Sequence, residues 1–121
     1  MAWKEIVCDG GYFPNYVVNE NGVIVRKSDG IVMRKYIQKS GYEAVYLKST
    51  SGETCARMVH RIVAIAFLPQ PQGKNVVDHI NTIRCDNRVC NLRWVTQKEN
   101  MNNPITKRRL KRRRKQNGDK S

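Results

Sequence analysis

The sequence predicts an α+β protein: an N-terminal antiparallel β meander, then a segment of strand, polar loop and helix, then a basic C-terminal tail. Three observations carry the prediction. Turn dipeptides recur between short β-prone runs over the first half of the chain, a single unbroken apolar run rich in alanine stops at a proline, and basic residues crowd the last fifteen positions.

Asn21-Gly22 lies between YVVN and VIVRK, Asp29-Gly30 precedes IVMRKYIQ, Ser40-Gly41 precedes YEAVYLK, and Ser51-Gly52 precedes TCARMV. Asn-Gly and Asp-Gly tolerate the positive φ angles of tight hairpins, so consecutive antiparallel strands are expected from Trp3 to about Met58. Within one strand Tyr42, Ala44 and Tyr46 share a face and Glu43, Val45 and Leu47 the other, and the alternation alone leaves open which is core. The apolar run from His60 to Leu68 reads as a buried helix ended by Pro69. His60 at its start is expected to be a packed or capping residue rather than a ligand. Pro71 and Gly73 mark a loop, after which Val76–Ile80 reads as a short strand, residues 81–91 as a polar loop, and Leu92–Thr96 as the approach to a helix. Thr96-Gln-Lys-Glu99 has the form of a capping box, which starts that helix at Gln97 and puts Asn100 one turn in.

Size and composition bound the function. The 121 residues suit one domain with a modest core, and 40% hydrophobic with 27% charged residues is a globular composition. No apolar run nears the roughly 20 residues that span a bilayer, and residues 1–20 lack a secretory signal pattern, so a cytoplasmic protein without a membrane partner is expected. Cys8, Cys55, Cys85 and Cys90 include no C-x-x-C pair, which favours free thiols and disfavours zinc. Net charge is +13, and it is uneven: residues 107–121 hold nine basic residues and one acidic, and all but one of Lys107–Lys115 are basic. So dense a run repels itself unless a polyanion neutralises it, and nucleic acid is the usual polyanion.

Asp78-His79, Asn91 and Asn100 thus fall on strand, loop and helix in turn. Carried by VHRIVAIAF, VDHI and NLRWVTQKEN, this arrangement resembles the HNH endonuclease family, phage homing-endonuclease branch, with its ββα-metal fold of two strands and a helix around one divalent cation. WKEIV through YVVNENGVIV resembles the small NUMOD4-like module that often precedes such domains. The resemblance implies a β-rich DNA-binding module over 1–57, an HNH nuclease core over 58–103 and a basic tail over 104–121. It implies Asp78 and Asn100 as ligands of a single Mg²⁺ or Mn²⁺, hard ions that accept carboxylate and amide oxygen. It implies His79 as general base and Asn91 as the residue that orients it and ties down the loop, with Asn87 a second candidate for bracing. Strand alternation separates Asp78 from His79, so a twist is needed for both to serve one site. The chain departs from the family pattern after Asp-His-Ile, where Asn81-Thr82-Ile83 replaces Asp-Gly-Asn.

The expected partner is double-stranded DNA, held by Arg93 and Lys98 in the core and by Lys107, Arg108, Arg109, Lys111, Arg112, Arg113, Arg114 and Lys115 in the tail. The implied activity is phosphodiester hydrolysis by a monomer that nicks one strand, in the cytoplasm of the host of a phage or mobile element. The alternative from another class is a non-catalytic DNA-binding module descended from such a nuclease. An RNA binder is disfavoured because the aromatic residues form no RNP-type strand motif.

Overall fold

In the computed structural model, which describes residues 2–101, the first hairpin is built on Asp9-Gly10, a dipeptide with no place among the expected turns. It joins β1 (Trp3–Cys8) to β2 (Gly11–Asn19) with Cys8 opposite Gly11, and both turn residues have positive φ, 47° and 83°. That is the twist a two-residue hairpin needs to match its strands. The β1–β2 register shifts between Glu5 and Ile6, opposite Pro14, which has no N–H to give to the ladder. β3 (Ile24–Arg26) completes this first sheet in the order β1-β2-β3.

The meander does not continue unbroken. Val32 makes only an isolated bridge to Val25, and pairing resumes at β4 (Tyr36–Ile37), which joins β5 (Glu43–Lys48) and β6 (Thr54–Met58) in a second three-stranded sheet. The expected strand IVMRKYIQ is therefore divided between the two sheets. In β5 the face of Val45 and Leu47 is core, while Tyr46 is exposed.

α1 (Val59–Phe67) follows β6 directly and buries Val59, Ile62 and Val63, the i, i+3, i+4 spacing of a helical stripe. Its last turn closes when the Leu68 amide donates to the Ala64 carbonyl, one residue before Pro69. Arg61 anchors the helix to the first hairpin through Asp9, at 2.9 Å, and holds that carboxyl below its ordinary range. β7 (Val76–His79) and β8 (Leu92–Val95) then form an antiparallel pair with Val77 opposite Trp94 and Asp78 opposite Arg93. α2 (Gln97–Met101) packs on both. A single apolar cluster runs through the whole assembly, taking Ile6, Phe13 and Ile24 from the first sheet, Val45 and Leu47 from the second, Ile62 and Val63 from α1, and Val77, Leu92 and Trp94 from the last pair. No helix among the described residues is long and apolar enough to cross a membrane. The basic run Lys107–Lys115 lies outside the described residues, as does the Asn103-Pro104 boundary.

Candidate active site

β7 is buried on both faces near its end, and its alternation sorts the two polar side chains. Asp78, 5% exposed, turns toward β8, where the directly opposite Arg93 donates to its Oδ2 from Nε and pairs through Nη2, each at 2.9 Å. Arg93, one of the expected DNA contacts, is thus engaged with the candidate metal ligand, although its side chain remains 58% exposed. His79, 4% exposed, turns the other way, against α1 and the second sheet. Its ring lies 5.2 Å from that of His60 and 5.8 Å from that of Tyr42, and His60 and Tyr42 are 4.9 Å apart, so three rings form one cluster. His60 is a packed residue here. Its Nδ1 is buried with no hydrogen-bond partner, and burial, with His79 second, pushes its pKa down to about 3, which keeps the ring neutral.

The capping box forms as its sequence requires. The Thr96 Oγ1 accepts from the Glu99 amide and Glu99 Oε1 accepts from the Thr96 amide, both at 3.0 Å, and Asn100 follows in the first turn of α2 with its amide on the Thr96 carbonyl. Lys98 is exposed on the same helix.

The two asparagines of the loop divide the work expected of one. Asn91 Nδ2 donates to Asn81 Oδ1 and to the Asp86 carbonyl, and its Oδ1 accepts from the Asn81 amide, each at 2.9 Å, so it closes the loop on itself. The hydrogen bond to His79 is instead made by Asn87, whose Oδ1 lies 2.7 Å from His79 Nε2. Asn87 Nδ2 donates in turn to Glu43 Oε1 at 2.9 Å. Arg88 braces the same loop through Asp86 and holds that carboxyl well below the usual carboxylate range. At the turn after β7 the chain takes φ 66° at Thr82, the position where the family pattern often has glycine. A β-branched residue in the left-handed region is strained by roughly 1–3 kcal/mol, while glycine there would lose part of that gain to its unfolded-state entropy. Thr82→Gly is therefore expected to raise the unfolding free energy by about 1 kcal/mol, read from urea denaturation; a decrease would show that the strain is absent.

Comparison with known proteins bears on this geometry. A family model described as HNH endonuclease matches residues 57–102, which span α1, both strands and α2. Residues 57–102 belong to the HNH endonuclease family. It is 37% identical over 108 residues to the DNA endonuclease I-HmuI of Bacillus phage SP01, a match covering 88% of this chain and 59% of that protein. An uncharacterized HNH endonuclease of Acanthamoeba polyphaga mimivirus is 37% identical over 106 residues, 85% of this chain and 26% of its own. The solved structure of I-HmuI, described as an HNH homing endonuclease that binds and cleaves DNA, superposes with a TM-score of 0.73 at 35% identity, covering 88% of this chain and 59% of that one. The chain thus spans about a quarter to three fifths of the length of these relatives.

HNH nucleases generally use a divalent metal ion, and the donors present fit a hard one. Asp78 is a buried carboxylate on β7, and α2, which carries the Asn100 amide, packs against that strand. Among the described residues no three His, Cys, Asp or Glu side chains converge.

Proposed function

We propose that this chain is a metal-dependent DNA endonuclease that hydrolyses one phosphodiester bond per site and, as a monomer in the cytoplasm of its host, nicks one strand. The observation that carries the reading is the adjacent pair Asp78 and His79, both buried at the end of β7 inside the HNH-matching segment, with α2 packed beside them. In this reading Asp78 and Asn100 hold one Mg²⁺ or Mn²⁺, which when bound neutralises charge on the scissile phosphate and on the departing 3′ oxygen. His79 accepts the proton of the attacking water, and the neutral imidazole is suited to that task. Asn91 keeps the loop closed, so that its ends stay beside β7 and β8. Arg93 balances the Asp78 carboxylate and, being half in solvent, can also reach toward phosphate. The likeness to I-HmuI supports DNA as the substrate.

The test is incubation of supercoiled plasmid with the full chain and Mg²⁺ or Mn²⁺. Open circles that appear only with metal are expected; a chain that binds the plasmid and leaves it intact would be a non-catalytic DNA-binding module.

The tail adds affinity without reading sequence. Each phosphate neutralised on duplex DNA contributes about −0.9 to the slope of log K against log salt. If Lys107–Lys115 makes roughly three to six contacts, truncation after Thr106 should flatten that slope by about 3–5 units and leave the cut position unchanged, because backbone contacts position without specifying. An unchanged slope would remove the tail from the interface, and a moved cut site would mean that it reads bases.

A further inference from the structure

The segment that matches the HNH family begins at residue 57, yet the hydrogen bond from the His79 ring to Asn87 continues to a residue outside it. Asn87 connects His79 to Glu43, at the start of β5 in the second N-terminal sheet. The chemistry of the three groups fixes the direction of both bonds. The Glu43 carboxylate can only accept, so the Asn87 amide must present its nitrogen to Glu43 and its oxygen to His79. An oxygen facing His79 Nε2 requires that nitrogen to carry the hydrogen, which leaves Nδ1 as the nitrogen with the free lone pair.

We propose that Glu43, acting through Asn87, is a positioning residue that sets the tautomer and ring orientation of His79, so that the N-terminal sheet is part of the hydrolytic machinery and not only a DNA-binding module. The proposal rests on His79 being the general base. Other contacts hold the same loop on the same hairpin. The Arg84 guanidinium donates to the Ser40 carbonyl and lies over the Tyr42 ring at 5.3 Å, and Cys85 Sγ donates to the Gly41 carbonyl at 3.4 Å. These fix where the loop sits. Of these contacts, the Glu43–Asn87 bond is the one that decides which way the Asn87 amide faces. An amide set between acid and imidazole passes on orientation while keeping the carboxylate charge at one remove. Without Glu43 the amide can rotate by half a turn and offer its N–H₂ to Nε2, which would move the ring hydrogen to Nδ1 and remove the lone pair where the reaction needs it.

The experiment uses the full chain carrying Glu43→Ala, with Glu43→Gln as the conservative variant. Gln keeps an oxygen for Asn87 but can also rotate, so it should fall between Ala and wild type. The chain has two histidines, so ring ¹⁵N spectra are simple to assign. Wild type should show His79 with hydrogen on Nε2 alone, and Glu43→Ala should show both tautomers. Under single-turnover conditions the cleavage step of Glu43→Ala should fall about 10–100-fold, the usual cost of losing an outer-shell partner, with DNA affinity and thermal midpoint close to wild type. A His79 that keeps hydrogen on Nε2 alone in Glu43→Ala would overturn the relay. Mixed tautomers with undiminished cleavage would overturn its part in the reaction, and His79→Ala measured alongside separates the two readings: if that variant also cuts normally, it is the assignment of the base that fails.

Discussion

His79→Ala is expected to lower the cleavage step by about 10²–10⁴-fold while leaving DNA affinity nearly unchanged. The imidazole is 4% exposed and hydrogen-bonds a loop asparagine, so it contributes little surface for DNA to touch. The loss should therefore appear in the single-turnover rate and not in binding. Truncation leaves a cavity beside Tyr42 and His60, and a parallel melting curve shows how much of the fold it costs. Wild-type cleavage by this variant would remove His79 from the reaction.

Asp78→Ala and Asn100→Ala should each abolish metal-dependent cleavage. If charge stabilisation by the ion is worth roughly 4 kcal/mol in the transition state, its loss is about 10³-fold. Asp78 is the larger expected effect because it supplies the only charged donor of the proposed pair. Removing it frees Arg93, whose side chain is already 58% exposed and can hydrate, so the fold should survive. Calorimetric titration with Mn²⁺ in the presence of DNA checks the point without reference to turnover: no binding is expected in Asp78→Ala, and part of the affinity should return in Asn100→Asp, which keeps an oxygen. Unchanged affinity in Asp78→Ala would place the ion elsewhere.

What the sequence disclosed was whatever short-range chemistry dictates. The capping box needs only Thr96 and Glu99 three residues apart, and both of its hydrogen bonds are present. The α1 helix needs only an apolar stripe and Pro69. The division of the meander into two sheets was not legible, because the run from Ile31 to Gln38 has strand character throughout and only the packing of two sheets on one helix decides where pairing lapses. The different surroundings of Asp78 and His79 followed from strand alternation: the carboxylate meets Arg93 on β8, and the ring meets Tyr42 and His60. Which loop asparagine meets His79 could not be read. Asn87 and Asn91 are alike in type and differ only in where a loop with a strained turn at Thr82 delivers them. Glu43 was further out of reach: it lies 44 residues from Asn87, and nothing in its neighbourhood distinguishes it from any other strand carboxylate.

The shared apolar cluster has a consequence for how such a chain can change over generations. A crossover between Met58 and Val59 would cut between β6 and the helix that follows without a linker, and would part Ile6, Phe13 and Leu47 from Ile62, Val63 and Leu92. Each large side chain left without its counterpart costs about 1.5–3 kcal/mol, and three or four such losses consume the whole stability of an ordinary domain. Within residues 2–101 the two halves must therefore be inherited together and drift in step.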